Sequence, residues 1–166
     1  MRAPLIMTRT VKAAALALVL SFAPVPGQAE IFSHLAGSWS GGGTISFNSG
    51  ARERIRCRAH YAPGDGGTTL RLELRCASDS YKFELQSSLT SIGTSISGTW
   101  GESTRNVFGV VTGNGTSGRI DVVARSPTFS AFLRVSTRGN RQNVSIQSPG
   151  SEMAEVAISL ARSGRR

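Results

Sequence analysis

The sequence predicts an all-β fold: a single antiparallel meander of about ten short strands, each with one apolar face, closed on itself as a barrel. Three observations predict it. Apolar and polar residues alternate with a strand's period of two, as in Ile55, Cys57, Ala59 and Tyr61 against Arg54, Arg56, Arg58 and His60. The runs are short and end in turn residues such as Asn48-Ser49-Gly50, Gly113-Asn114-Gly115 and Arg138-Gly139-Asn140. Beyond residue 30, no stretch requires a helix longer than a turn. Closure removes the exposed edges that an open sheet would offer to other chains. A β-sandwich satisfies the same alternation and is the alternative.

In chain order, the first segment is an address. Arg2, Arg9 and Lys12 flank the approach to the apolar run Ala13-Ala14-Ala15-Leu16-Ala17-Leu18-Val19-Leu20, and Gly27-Gln28-Ala29 supplies the small residues an export peptidase needs. That run is well short of the ~20 residues of a spanning helix. Residues 1–29 are therefore expected to be a signal peptide, and residues 30–166 a single β-barrel domain with no membrane span, in the periplasm or outside the cell. No cysteine follows the apolar run, which excludes a lipid anchor there. Losing Arg2, Arg9 and Lys12 takes the formal net charge from +9 to +6, and apart from Lys82 the remaining basic charge is arginine.

Ile31-Phe32-Ser33-His34-Leu35 reads as one helical turn plugging an end of the fold. A hairpin follows, out through Phe47, round Asn48-Ser49-Gly50 and back from Arg52 to Tyr61, with Gly41-Gly42-Gly43 marking a bend or bulge in its first arm. Later runs alternate through Leu70 to Cys76, Tyr81 to Leu85, Ile96 to Trp100, Val107 to Val111 and Ile120 to Ala124. The last three pass through Phe129 to Val135, Val144 and Ile146, and Val156 to Leu160, with a short helical turn expected over Ser151-Glu152-Met153-Ala154-Glu155.

Cys57 and Cys76 are the only cysteines, and an oxidising compartment joins such a pair. The disulfide would staple one hairpin from its apolar side. A two-residue turn at Gly66-Gly67 would put Pro63 where the ladder needs an N–H, so a longer loop through Gly64-Asp65-Gly66-Gly67 is expected. Two cysteines without histidines at finger-like spacing make a poor zinc site, and no cofactor or metal is expected.

Arg52, Arg54, Arg56, Arg58 and His60 occupy alternate positions opposite the apolar face, and Arg71 and Arg75 flank Glu73 on the partner strand. This outer basic patch would attract an anionic envelope component or an acidic protein; equally, it keeps the strand solvated and blocks strand addition. Without interleaved stacking aromatics, nucleic acid is disfavoured. Inside, Tyr61, Leu72, Phe83, Trp100, Ile120, Phe129 and Leu133 either fill the barrel or line a pocket for a small apolar ligand. Gly113-Asn114-Gly115-Thr116-Ser117-Gly118 fits the dinucleotide pattern G-x-G-x-x-G, but it runs into the strand Arg119-Ile120-Asp121-Val122-Val123 where that fingerprint needs a helix. His34 and His60 accompany no nucleophile motif, and no catalytic residue and no enzymatic activity are expected. The chain is expected to be a monomer.

Leu35-Ala36-Gly37-Ser38-Trp39, following a helical turn, resembles the opening of calycin-type barrels. That group includes lipocalins, avidins, fatty-acid-binding proteins and a class of exported bacterial metalloprotease inhibitors. In lipocalins a basic residue near the end of the last strand packs across that tryptophan, and Arg162 stands in the matching place. The resemblance thus implies a barrel-closing pair, Trp39 with Arg162, as a cation–π contact. The second and third lipocalin signatures and the biotin-binding residues of avidins are absent. Export, the Leu-Ala-Gly-x-Trp start and an early disulfide are shared with the inhibitors. Over its whole length the chain is similar to small exported bacterial proteins of uncharacterised role. These expectations combine into a non-catalytic binding or interaction module of the cell envelope with a basic outer face; the alternatives are a carrier of a small apolar ligand and a periplasmic protein resembling the protease inhibitors.

Overall fold

The computed structural model describes residues 30–164, so the signal peptide expected at 1–29 lies outside the described residues. A 3-10 turn at Ser33–Leu35 leads into ten strands: β1 (Gly37–Phe47), β2 (Arg52–Gly64), β3 (Thr69–Ala77), β4 (Lys82–Ile92), β5 (Ser95–Glu102), β6 (Val107–Thr116), β7 (Arg119–Arg125), β8 (Ser130–Arg138), β9 (Arg141–Gln147) and β10 (Met153–Arg162). Each strand pairs antiparallel with its chain neighbours, and β1 pairs with β10. The sheet is a closed barrel, and the sandwich alternative falls.

Alternation dictates which side chains face inward. On β2, Ile55, Cys57, Ala59 and Tyr61 are buried while Arg54, Arg56, Arg58 and His60 are exposed. The β1–β2 turn closes where Gly50 adopts a φ of 85°, a conformation that glycine reaches without a Cβ penalty. Cys57 and Cys76 stand directly opposite each other on β2 and β3 and form a disulfide with Cα atoms 4.1 Å apart. That close approach marks a pair not bridged by ladder hydrogen bonds. Six pairs along, Pro63 faces Leu70 at the same kind of position, so its missing N–H costs the β2–β3 ladder nothing. The hairpin therefore keeps the two cysteines opposed and still opens into a loop, whose 3-10 turn spans Asp65–Gly67.

Three local expectations are corrected. Gly113-Asn114-Gly115 is not a turn: β6 runs through it to Thr116, and none of the three has a positive φ. Residues 151–155 form no helical turn; bends lead directly into β10 at Met153. The triple glycine is no bulge either, since β1 stays in register with both neighbours there and the shift falls at Ser46/Phe47. Its glycines serve close approach: a Cβ on Gly43 would lie 1.8 Å from the Ala157 carbonyl oxygen, and one on Gly41 2.1 Å from that of Ser159.

One end of the barrel is sealed. Ile31, Phe32 and Leu35 are fully buried beneath the N-terminal turn, each contributing roughly 1.5–3 kcal/mol of apolar burial. The Phe32 N–H donates to the Gly67 carbonyl at 3.1 Å, and the Trp39 indole N–H donates to the Leu35 carbonyl at 2.8 Å. Arg162 lies 4.3 Å over the Trp39 ring and donates to the carbonyls of His34, at 2.5 Å, and Ala36. The first turn, first strand and last strand are thus tied at one corner.

Candidate functional site

The inward-facing residues divide by depth. At the sealed end, Tyr61 donates its hydroxyl to Gln142 Oε1 at 2.7 Å, and Gln142 Nε2 donates to Thr137 Oγ1 at 3.1 Å. Gln142 is completely buried, a cost that its two bonds offset. Burial pushes the Tyr61 hydroxyl well above its usual range, with the bond to Gln142 pulling slightly the other way. Ile120 is buried on this side too. Leu72, directly opposite Tyr61, and Val135, directly opposite Ile120 and Val144, face inward midway along their strands yet stay partly exposed, as do Val144 and, further toward the opposite end, Leu85, Leu133, Phe83 and Phe129.

Trp100 belongs to this second group by position but is buried, 5.8 Å from Phe129 ring to ring. Its partner on β6 is Gly109, and a Cβ there would sit 2.7 Å from the indole nitrogen. The absence of that side chain is what lets the indole lie against the wall. Its buried N–H has no acceptor among the described residues, an arrangement that costs on the order of 1–3 kcal/mol.

Aromatic residues and one arginine form the rim. Phe47 and Tyr81 are 5.3 Å apart, Tyr81 and Phe83 stack at 6.1 Å, and the Arg105 guanidinium lies 5.1 Å and 5.0 Å from the latter two rings. Glu102 places Arg105. Its buried carboxylate accepts the backbone N–H groups of Glu84, Thr104 and Arg105 at 3.0, 3.1 and 2.9 Å and the Thr104 hydroxyl at 2.5 Å. The β5–β6 connection is folded around this one side chain. Glu53, also facing inward, accepts from Ser78 Oγ at 2.7 Å and pins the β3–β4 turn to β2.

Outside, Arg52, Arg54, Arg56, Arg58, His60, Arg71 and Arg75 are all exposed on adjacent strands. None of these arginines has an acidic partner within ion-pair distance among the described residues. Arg58 faces Arg75, and His60 faces Glu73 across the pair. His60 Nδ1 is also 3.1 Å from Ser38 Oγ. Ser38, His60 and Glu73 thus lie side by side on an exposed wall, with a hydrogen bond joining only the first two.

Sequence reasoning missed Glu102, Arg105 and Gln142, and it did not single out the Trp100 N–H. A signal existed for the first two: Glu102-Ser103-Thr104-Arg105 leaves a strand, and a carboxylate there can accept from the N–H groups that follow it. Among the described residues, no group of three or more His, Cys, Asp or Glu is placed to hold a metal ion, and no helix is long and apolar enough to cross a membrane.

The geometry defines a class, a closed antiparallel barrel of ten strands sealed at one end by its N-terminal turn. No protein-family model and no curated protein matches the chain. Solved structures do. Rv2717c from M. tuberculosis superposes with a TM-score of 0.61 at 16% identity, covering 80% of this chain and 94% of its own. The S-type phycobiliprotein lyase CPES from Guillardia theta superposes with a TM-score of 0.55 at 11% identity, covering 82% of this chain and 93% of its own. At such identities the likeness is one of fold. It nevertheless corrects one expectation: a barrel of this form serves a lyase, so the inference that the chain is no enzyme, drawn from missing motifs, does not stand.

Proposed function

We propose that this protein is an exported ligand-binding barrel that holds a small apolar molecule in the unsealed half of its interior. One observation carries the reading: Leu72, Leu85, Leu133, Val135 and Val144 point inward at mid-wall and keep partial exposure in place of full burial, as side chains facing a pocket would. Ten strands enclose more room than eight, whose interior is just filled by side chains. The lining is apolar, as ligand pockets mostly are, and it carries one candidate polar contact in the unpaired Trp100 N–H. The best-fitting ligand is a hydrophobic molecule with a hydrogen-bond acceptor, entering past Phe47, Tyr81, Phe83 and Arg105. Export is supported by the Cys57–Cys76 disulfide, which suits an oxidising compartment. That a matching barrel is a phycobiliprotein lyase supports small-molecule handling by this architecture.

The test is binding of N-phenyl-1-naphthylamine, an apolar fluorophore, to the disulfide-intact protein, with native mass spectrometry for co-purified molecules. Fluorescence enhancement is expected, weakened about tenfold or more by Leu133→Arg, which sets a charge among the lining residues. Leu85→Trp fills the same space without charge and should act likewise. No enhancement by the wild type, or enhancement indifferent to both folded variants, overturns the reading.

A further inference from the structure

The outer wall carries a second arrangement, independent of the interior. On β1 the outward side chains Ser38, Ser40, Gly42, Thr44 and Ser46 are all small, and on β10 Ala157, Ser159 and Ala161 continue the same low surface. A concavity of about 280 Å³ lies here, floored by Gly42, Ser136, Asn143, Ser145, Ala157 and Ser159. Strands lie ~4.8 Å apart, so the arginine row of β2 stands immediately beside it: Arg56 is directly opposite Gly42, with Arg54 opposite Thr44 and Arg58 opposite Ser40. Arg134 borders the far side, held by Asp121 at 2.6 Å. The floor offers hydroxyls and an amide, with Ser159 Oγ already donating to Asn143 Oδ1 at 2.8 Å. It presents no large aromatic or aliphatic side chain.

Each half of this arrangement narrows the partner. Unpaired arginines two residues apart on a strand repeat every ~6.6 Å and suit a chain of repeating anionic groups. A flat lipid surface would meet mainly the crest of a convex wall and find no apolar side chain to insert there. Stacked bases would find no aromatic platform. Hydroxyls and an amide on a floor of small residues suit a ring bearing hydroxyl groups of its own. We propose that this trough binds an anionic polysaccharide, the sugar rings lying on the β1–β10 floor and the acidic groups meeting Arg54, Arg56 and Arg58.

The experiment measures displacement of a fluorescein-labelled heparin hexasaccharide from the disulfide-intact protein at physiological salt. The competitors are a polygalacturonate oligomer and a polyphosphate of matched charge; the first two probes separate sulfate from carboxylate as the source of charge. At least one glycan is expected to bind about tenfold more tightly than polyphosphate, since charge alone is screened at this salt. Arg54→Ser/Arg56→Ser/Arg58→Ser should weaken glycan binding about tenfold or more. Ser159→Trp, which fills the floor and leaves the charge unchanged, should weaken it too, with Ser145→Phe as the second floor variant. Polyphosphate matching the glycans, floor variants that bind as the wild type does, or attachment to anionic vesicles without glycan binding would each overturn the proposal. Retained N-phenyl-1-naphthylamine binding in these variants separates failure here from failure of the interior reading.

Discussion

Glu102 sits at the end of β5 with its carboxylate taking three backbone N–H groups and a hydroxyl, beneath a rim that sequence alone does not reveal. Burial by itself would raise its pKa; the hydrogen bonds from Glu84, Thr104 and Arg105 outweigh that and hold it below the ordinary 4.5. Because the folded pKa is the lower one, the carboxylate contributes stability above the unfolded value and loses it as pH falls through the folded value. Glu102→Gln is therefore expected to cost about 2 kcal/mol at neutral pH, and the gap between variant and wild type should narrow once pH drops below 4.5. Urea unfolding on both sides of that value measures it. The residue escapes sequence analysis because its partners include Glu84, which only the β4–β5 pairing brings near. By contrast, the outward arginines of β2 are legible from alternation alone.

On β1, as on β6, the backbone comes close to a neighbouring strand, and glycine is the means. Gly43→Ala would drive a methyl to within 1.8 Å of the Ala157 carbonyl oxygen, whereas at Gly118 the nearest atom, the Thr137 carbonyl oxygen, is 3.6 Å from the same added methyl. The first substitution should destabilise by about 3 kcal/mol or prevent folding, since backbone yields less readily than a side chain. The second should stay within about 0.5 kcal/mol of the wild type. Thermal unfolding of the two variants provides the comparison. The same feature explains which elements were misread: a glycine accommodating a neighbour and a glycine making a turn are the same letter. Gly113 and Gly115 look like punctuation in sequence, yet their job inside β6 is set by Val122 and Ile120 on β7. Residues 151–155 went wrong for a related reason, as helix-compatible residues were drawn into strand by pairing with β1 and β9.

At the scale of the molecule, closure depends on a seam between the first and last strands, locked by Arg162 over Trp39. Arg162→Ala removes the cation–π contact and the donors to His34 and Ala36, and is expected to cost about 2 kcal/mol, lowering Tm by about 4–8 °C. Trp39 emission should shift to the red as water reaches the loosened corner. The all-β class and the inward and outward faces were legible because a period of two survives in any antiparallel closure. Which interior side chains pack and which stay partly exposed was not, because that depends on the number of strands and on the end the N-terminal turn occupies.

The β1–β10 pairing also orders events in time. A chain emerging from its N-terminus presents β1 long before its second neighbour exists, so one edge of β1 must wait for residues 153–162. Until the tail arrives the curled sheet has two raw edges, and only then can the two ends of the domain zip together. A domain built this way stays pliable until its last strand is in place, and only then becomes rigid.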